Sequence, residues 1–493
     1  MNYEKYLESN KDKMISSLQD VLRFNSERTD KVVAADGSVY PFGIGVQQSF
    51  ECTLSMAEEM GFVTKNVDNY GGHIDFPGTG KPIVGKDGTV TGYEKPEILG
   101  IIGHLDVVPA AGGWSFDPYG AEVKDGTIFG RGTSDDKGPV ISCLYAMKAL
   151  KEAGFAPQRT IRLIIGLDEE TQWEGMDYYF SKVEKPTLGF TPDADFPIIN
   201  GEMGILIFEL AKKFQKTSAE GLSLRSIKGG AAANSVADSC RAVVNSANEK
   251  DYEDIKNLIS EYKEATGYKV HTKGVGKSLE ITTEGIGAHG AKPSAGLNAI
   301  SIMMEILGKL NFANEDQMDF ISFYNEYIGF CLNGEKMGIF LEDEPSGKLI
   351  FNVGKIDLDA ESAILTINIR YPVTCTEEQV YEPMTAVLEK YDMGLIKGKA
   401  QAPIYMDLNS PIIKTLVEIY RKHTGDTESE PLVIGGGTYA RAAENIVAYG
   451  AAFPGDEELM HQKDECLTIE RLEQMTRIYA EAIYKLSSGE YNV

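Results

Sequence analysis

The chain has 493 residues, of which 42% are hydrophobic; at roughly 150 residues per domain, this length predicts about three domains or large subdomains. Its 48 basic and 74 acidic residues give a formal net charge of −26, which disfavours nucleic acid and anionic membrane surfaces as partners. The polar N-terminal segment predicts no signal peptide, and no apolar run approaches the roughly 18 residues of a membrane span. Six scattered cysteines without a C-x-x-C pair are typical of a protein of the reducing cytoplasm.

Helix and strand patterns alternate over the first 200 residues. Apolar residues at helical spacing predict a helix over about residues 5–25, and a second helix ends at Gly61. Strands are expected near 62–67 and 97–103, followed by a long loop over 106–133 with a short hairpin around Asp125-Gly126. Residues 138–154 then predict a helix and residues 160–166 a strand. This order indicates a βαβ unit and a mostly parallel central sheet, so the fold class is α/β.

The section from about residue 201 to 400 has a different character. Its strand patterns (204–211, 279–283 and 363–370) and helix patterns (251–266, 299–310 and 377–391) indicate an α+β domain. A helix over 412–423 and a Gly-rich segment at 434–438 then indicate a return to the first domain. We therefore predict one domain formed by residues 1–200 and 403–493, interrupted by an inserted domain of residues 201–402.

His104 and Asp106 are the most informative pair in the sequence, because they follow an apolar stretch, 98–102, that predicts a buried strand. Residues two apart in a strand point to the same side, so both side chains are expected to lie together where the strand ends. A carboxylate beside an imidazole fixes its tautomer and raises its basicity, as a metal ligand requires. The pair alone is typical of a surface histidine, but further clusters downstream favour a metal site.

Other potential ligands follow other predicted strands or turns. Ligands beyond strand ends suit an open α/β sheet, whose sites form at the carboxyl ends of its strands. They are Asp135 in the Gly-rich segment 130–138, the adjacent pair Glu169-Glu170, Asp193 after a strand at 187–190, and His461.

Imidazole nitrogen mixed with carboxylate oxygen favours zinc, manganese or cobalt over calcium. Two ions about 3.5–4 Å apart need a bridging carboxylate, which one aspartate on a rigid turn can supply. Glu169 and Glu170 are neighbours and point in different directions. One of them can therefore bind metal while the other remains a general base.

The combined motifs resemble those of the M20 family of dimetal peptidases and deacylases, in family order and over most of the chain. The segments 189–201 and 434–441 are similar to those of the PepV-like dipeptidases, which remove an N-terminal residue from dipeptides. This resemblance implies a zinc-exopeptidase-like catalytic domain with an inserted lid domain, and hydrolysis of dipeptides that have a free N-terminus. The motifs are His104-Leu-Asp106, Gly130-Arg-Gly-Thr-Ser-Asp135-Asp-Lys-Gly138, Asp168-Glu169-Glu170 and Met460-His461.

The resemblance also implies two divalent ions per chain, with zinc preferred and manganese or cobalt as alternatives. One ion would be held by His104, Asp135 and Asp193. The other would be held by Asp135, Glu170 and His461, so that Asp135 bridges the two.

Two further roles follow from the same resemblance. Asp106 would orient the metal-binding histidine before it, and Glu169 would be the general base. The family has either aspartate or glutamate at the position of Asp193. Aspartate here is similar to the dipeptidase and aminoacylase-like members.

The middle section resembles the lid domain of the family. His289, in the segment 287–293, would stabilise the oxyanion formed as water attacks the peptide carbonyl. Asn234 and Arg370 would bind the substrate carboxylate, which an arginine can do with two parallel hydrogen bonds, and backbone amides near Gly436 would add donors. A buried structural arginine is the alternative for Arg370. In PepV-like enzymes the long lid imitates a partner subunit, which implies a monomer.

Other functions fit parts of the sequence. Gly285–Gly290 matches G-x-G-x-x-G between an apparent strand and a helix, the context of a dinucleotide-binding oxidoreductase, although the acidic clusters would then have no role. A deacylase of N-acyl amino acids would use the same fold and metals. A protein that only binds metal or peptide would not need Glu169 as a spare carboxylate.

Overall fold

The structure is a computed structural model that describes residues 2–86, 88–215, 221–489 and 491. No helix within these ranges is long and apolar enough to cross a membrane. The α-helices are α1 Glu4–Leu22, α2 Ile44–Glu59, α3 Lys137–Glu152, α4 Glu174–Lys182, α5 Glu249–Thr266, α6 Ala299–Leu307, α7 Glu315–Tyr327, α8 Glu377–Lys390, α9 Pro411–Thr424 and α10 Ile469–Ser487. The strands are β1 Val32–Val33, β2 Val39–Tyr40, β3 Val63–Asn66, β4 Gly72–Phe76, β5 Pro82–Val84, β6 Val90–Tyr93, β7 Ile98–His104, β8 Glu122–Lys124, β9 Thr127–Phe129, β10 Thr160–Gly166, β11 Leu188–Thr191, β12 Ala194–Asp195, β13 Ile199–Glu202, β14 Gly204–Lys213, β15 Ser223–Gly229, β16 Ser239–Asn245, β17 Lys269–Val275, β18 Ser278–Glu284, β19 Glu342–Asp343, β20 Gly347–Lys348, β21 Ile350–Leu358, β22 Ser362–Tyr371, β23 Gly394–Gln401, β24 Ile404–Tyr405, β25 Leu432–Ile434, β26 Ile446–Ala448, β27 Ala451–Ala452 and β28 Cys466–Thr468.

The chain forms two compact units. The first consists of Met1–Asn200, Met406–Leu432 and Gly437–Val493, and the second of Gly201–Tyr405 with Val433–Gly436. The second unit thus includes residues 403–405 and 433–436, which the sequence assigned to the first domain. The catalytic and lid roles of the two segments remain predictions.

The first unit is built on parallel strands in the order β26, β11, β7 and β10. Beyond β10 the sheet continues into β4, which is antiparallel to β10, and β3, which is antiparallel to β4. On the other side, β13 pairs antiparallel with β26, so the sheet is mixed around a parallel centre. Strands β7 and β10 lie side by side, with α3 between them in the chain, so the predicted βαβ unit is confirmed. Every residue of β7 is buried, which explains its continuous apolar sequence. Gly166 at the end of β10 lies opposite His104 at the end of β7, which brings two ligand-bearing segments to one sheet edge.

Helices α1, α3 and α10 pack together in this unit and supply much of its core. Leu18 of α1, Leu144 of α3 and Ile478 of α10 are fully buried members of that core. Full burial of one such side chain contributes about 1.5–3 kcal/mol. The packing of α3 fixes the Gly-rich segment that precedes it.

Lys137, the first residue of α3, is fully buried. Its ammonium group donates hydrogen bonds to the carbonyl oxygens of Val21 at 3.2 Å and Phe24 at 2.9 Å. These carbonyls lie at the C-terminal end of α1, where the last carbonyl groups of a helix lack i+4 partners; that of Val21 also accepts the N–H of Phe24 at 3.4 Å. Lys137 therefore ties the end of α1 to the start of α3.

The second unit contains an antiparallel eight-stranded sheet in the order β17, β18, β16, β15, β21, β22, β14 and β23. Residues of α5, α6, α7 and α8 join alternate residues of these strands in a separate core. The expected α+β organisation is therefore present. Helix α7 is an addition that the sequence patterns did not predict.

The segment Gly285–Gly290 follows β18, but it does not open a helix. Ile286 forms a β-bridge with Leu297, and the next α-helix begins only at Ala299. The strands around it are antiparallel, whereas a dinucleotide-binding fingerprint requires a βαβ unit. The expected context for an oxidoreductase motif is therefore wrong.

Replacing Lys137 by methionine should lower the free energy of unfolding by about 1–3 kcal/mol, because the carbonyl oxygen of Phe24 loses its ammonium donor and that of Val21 retains only backbone N–H contacts, at nearly constant side-chain volume. Urea denaturation of the metal-free protein measures the change. Lys148→Met is the matched control, since Lys148 lies in the same helix and forms an i,i+4 ion pair with Glu152, a contact expected to contribute below about 1 kcal/mol. Equal stability of the Lys137 variant and the wild type would contradict this role.

Candidate metal centre

His104 ends β7 with its imidazole fully buried. The imidazole Nδ1 lies 2.9 Å from the backbone carbonyl oxygen of Asp106. Because a carbonyl oxygen only accepts, Nδ1 carries the hydrogen and donates it. Nε2 is then the nitrogen with a free lone pair, and it faces Asp135 Oδ1 at 3.1 Å and Asp193 Oδ2 at 3.7 Å.

Asp135 lies between two histidines. Its Oδ1 is 3.1 Å from His104 Nε2, and its Oδ2 is 2.8 Å from His461 Nε2. Each oxygen of one buried carboxylate thus faces a different imidazole. This is the arrangement that a carboxylate bridging two cations requires.

The remaining expected ligands converge on the same place. Glu170 Oε1 lies 3.0 Å from His461 Nε2. Ligand atoms of His104, Glu169 and Asp193 lie within 4.8 Å of one another. Those of His104, Asp135 and Glu170 form a second such group.

These groups differ in one respect from the sets that the resemblance implies. Glu169, the expected general base, is close enough to His104 and Asp193 to be counted with them. The structure therefore brings all five expected ligands together and places the expected base among them.

Asp106 has more contacts than the sequence indicated. Its carboxylate Oδ1 lies 3.4 Å from His104 Nδ1, farther than its own carbonyl oxygen. The two carboxylate oxygens accept hydrogen bonds from the backbone N–H groups of Glu169 at 3.1 Å and Glu170 at 3.0 Å. Asp106 therefore orients the histidine mainly through its backbone and holds the Glu169-Glu170 segment through its side chain.

The electrostatics of the site favour uptake of positive charge. Burial, with the charge of Asp135 as the next cause, raises the pKa of Glu170 to about 7. Burial also raises the pKa of Asp193 and of Glu169, and in each case the next cause is a neighbouring carboxylate. Burial opposes protonation of His461, but hydrogen bonds to Asp135 and Glu170 raise its pKa. Cations bound here would relieve the repulsion among these carboxylates.

The donor set fits divalent transition metals. It offers two imidazole nitrogens and several carboxylate oxygens, and the nitrogens favour zinc, manganese or cobalt over calcium. His104 also has the backbone hydrogen bond on its second nitrogen that metal-binding histidines have. The residues present are therefore suited to hold the metal.

Two acidic residues near the site had no role in the sequence interpretation. Asp136 is buried and accepts the backbone N–H of His104 at 3.1 Å through Oδ2. Glu465 is buried and accepts hydrogen bonds from the segment that carries Asp135. Asp136 directly follows Asp135 and Glu465 lies four residues after His461, and this closeness in the sequence was the only available signal.

The residues expected to bind substrate lie in the second unit, and three of its segments meet there. Ser235 forms a β-bridge with His289, and the carbonyl oxygen of Asn234 accepts the N–H of Gly290 at 2.7 Å. Asn352 on β21 donates to the carbonyl oxygens of Ala233 and Ser235, on either side of Asn234, at 3.1 and 2.9 Å. The structure therefore brings Asn234 and His289 together.

Arg370 belongs to the same region. It lies on β22 opposite Ile350 and Ile205, and it is buried. A Cβ added to Gly435 would lie 3.1 Å from Ala291 Cβ and 3.7 Å from Arg370 Cγ. The segment that contains Gly436 therefore runs between Arg370 and the loop of His289.

The three other histidines lie in contacts outside the candidate metal cluster. His73 is buried, with Nδ1 2.7 Å from the hydroxyl of Tyr179. His271 is exposed beside Glu284, and His423 binds Glu481.

Comparison with known proteins agrees with this geometry. The sequence profile described as "Peptidase family M20/M25/M40" matches residues 100–485. The chain belongs to peptidase family M20/M25/M40. Proteins of this family are metallopeptidases, so the family implies use of divalent metal, for which the clustered imidazoles and carboxylates are candidate ligands.

Full-length relatives of this M20 peptidase are found in bacteria. A Staphylococcus epidermidis protein named "Putative dipeptidase" is 38% identical over 488 residues, which cover 98% of each chain. "Putative dipeptidase YtjP" of Bacillus subtilis is 34% identical over 490 residues, which cover 99% of this chain and 100% of that protein.

Solved structures show the same fold at low sequence identity. Human carnosine dipeptidase 1 aligns with a TM-score of 0.53 and 15% identity, over 98% of both chains. A tripeptidase from Staphylococcus aureus aligns with a TM-score of 0.55 and 14% identity, over 97% of this chain and 99% of that one. The M20 fold is therefore common to these proteins.

Zinc or manganese added to the metal-free protein should raise the free energy of unfolding by about 2.7 kcal/mol when the free ion is at 100 times its Kd. Asp135→Asn should lose most of this increment, because the bridging carboxylate contacts both histidines. Urea denaturation with and without the ion measures it. Asp75→Asn is a control, since Asp75 binds Arg162 instead. Equal increments in the wild type and the Asp135 variant would contradict the assignment.

Proposed function

We propose that this M20 peptidase is a dipeptidase that hydrolyses the peptide bond of dipeptides with a free N-terminus. The observation that carries the proposal is Asp135 held between two histidines with the carboxylate of Glu169 close by. The full-length relatives named as dipeptidases support the substrate class.

Two divalent cations, with zinc best suited, would occupy the cluster. His104, Asp135 and Asp193 would hold one, and Asp135, Glu170 and His461 would hold the other. When bound, such ions supply Lewis-acid polarisation of the scissile carbonyl and a more acidic water. Residues of the chain itself would supply the proton transfers and the hydrogen bonds to the substrate.

Glu169 would accept the proton of the attacking water and pass it to the leaving amine. Within the described residues, no side chain donates a hydrogen bond to its carboxylate, so both oxygens are available for this exchange. Burial and the charge of Asp193 raise its pKa, which suits a group that must hold a proton between the two steps. Two backbone contacts fix the position of Glu169. Its N–H donates to the carboxylate of Asp106, and its carbonyl oxygen accepts a hydrogen bond from the Trp173 indole at 2.7 Å.

His289 would donate a hydrogen bond to the oxyanion of the tetrahedral intermediate. Its Nδ1 accepts the backbone N–H of Ala291 at 3.2 Å, so in the neutral ring the hydrogen is on Nε2. That tautomer is the one an oxyanion donor needs. Arg370 and Asn234 would bind the substrate carboxylate, with backbone amides near Gly436 as further donors. In this way the second unit would act as the lid.

We also propose that the protein is a monomer. The basis is the sequence resemblance, in which the long inserted lid takes the place of a partner subunit. Size-exclusion chromatography with light scattering measures the mass directly.

Free dipeptides should be hydrolysed at least about 100-fold more efficiently, in kcat/KM, than the same dipeptides with an N-acetyl group. Acetylation removes the positive charge that an acidic site attracts. Chelation of the metal should abolish hydrolysis of both the free and the N-acetylated dipeptides. Added zinc or manganese should restore hydrolysis of the free dipeptides. A preference for the acetylated substrates would overturn the proposal in favour of a deacylase.

Glu169→Gln should reduce kcat by about 10²–10⁴-fold, the usual range for loss of a general base. Its bound metal should remain, because five other side chains supply the ligands. Glu174→Gln is the matched control, as Glu174 lies on the same segment and binds Arg28. Near-normal turnover of the Glu169 variant would exclude it as the base.

A further inference from the structure

Glu465 is a fully buried carboxylate surrounded by hydrogen-bond donors. They all belong to one segment of five residues, 131–135. Oε2 accepts from Arg131 Nη1 at 2.7 Å and from the N–H of Gly132 at 3.1 Å. Oε1 accepts from the N–H and hydroxyl of Ser134 at 2.9 and 3.0 Å, and from the N–H of Asp135 at 3.3 Å.

The segment that carries Glu465 also carries His461, so it holds Asp135 twice. His461 Nε2 lies 2.8 Å from the carboxylate of Asp135. The carboxylate of Glu465 accepts the backbone N–H of the same Asp135. The carbonyl oxygen of Glu465 in addition accepts the N–H of Gly130 at 3.0 Å. One short segment therefore contacts both the side chain and the backbone of the bridging residue.

The charge of Glu465 is balanced within this contact. Arg131 is buried, and its guanidinium also lies over the ring of Trp114 at 5.2 Å. A buried ion pair is tolerated best when its remaining donors and acceptors are satisfied; here both carboxylate oxygens accept hydrogen bonds, while Arg131 Nε has no hydrogen-bond partner among the described residues. The described hydrogen-bond partners of the Glu465 carboxylate are the Arg131 guanidinium, three backbone N–H groups and the hydroxyls of Thr133 and Ser134. An amide at this position would direct its N–H group at the guanidinium or at backbone N–H groups, and only the hydroxyls could turn to accept it.

We infer that Glu465 is a positioning residue for the metal centre: it orients the bridging carboxylate of Asp135 and sets its distance from His461. The inference rests on the proposed use of Asp135 as a metal ligand. Glu465 contacts neither expected cation site directly, so its effect is exerted through Asp135. Removing a residue that orients a ligand typically lowers metal affinity about 10–100-fold.

The test is the zinc affinity of Glu465→Gln, measured by competition with a chromogenic chelator on the full-length metal-free protein. We expect affinity about 10–100-fold weaker than that of the wild type. Glu465→Asp keeps the charge but has a shorter reach, and it should recover part of the loss. This rescue depends on geometry and charge at the metal centre, which general stability does not reproduce.

Glu481→Gln is the matched control. Glu481 is also a buried carboxylate, and it accepts hydrogen bonds from Lys422 at 2.7 and 2.8 Å and lies 2.6 Å from His423 Nε2. Its variant should lose stability but bind zinc as the wild type does. Equal weakening of zinc binding in both variants would overturn the inference, because a general loss of stability would then explain it.

Two further outcomes are decisive. Wild-type zinc affinity in Glu465→Gln would overturn the inference and leave the proposed function intact, because hydrolysis of dipeptides by the wild type is measured separately. If Glu465→Gln does not fold, Ser134→Ala decides, since it removes one hydrogen bond to the same carboxylate. A loss of zinc affinity of about 2- to 10-fold in that variant supports the inference, and no loss overturns it.

Discussion

The carboxylate of Asp135, held between His104 and His461, is the contact on which the site depends. Buried carboxylates close to one another are costly unless positive charge compensates them. Imidazole nitrogens directed at the same oxygens make divalent transition metals the compensating charge that fits. The fold must therefore bring distant segments to one point and hold them there.

The first unit does this with strand ends and with buried polar contacts. Strand β7 ends at His104, opposite the end of β10, and the Glu169-Glu170 segment follows β10. The carboxylate of Asp106 accepts hydrogen bonds from the backbone N–H groups of that segment. One residue therefore holds both the expected base, Glu169, and the expected ligand, Glu170. On the other side, Glu465 binds the backbone of the segment that carries Asp135. Lys137 ties the following helix to α1, so the bridging residue is fixed from both directions along the chain.

Ligands after buried strands could be predicted from the sequence, because a continuous apolar run fixes where its strand ends. This covers His104, Glu170 and Asp193. The part of Glu465 could not be predicted, since its partners lie about 330 residues away and no local pattern shows that the two segments meet. The spacing of His104 and Asp106 also does not show whether Nδ1 of the histidine donates to the carboxylate or to the backbone carbonyl of Asp106. The sequence likewise does not show that the strands around the Gly-rich segment 285–290 are antiparallel. That became clear only from the pairing of β18 with β16 and β17.

The bridging role of Asp135 can be measured in a crystal structure of the zinc-loaded protein with anomalous diffraction recorded at the zinc edge. If Asp135 bridges two ions, two anomalous peaks will lie about 3.5–4 Å apart, one on each side of its carboxylate. Peaks absent from this cluster, or located only at other surface histidines, would contradict it.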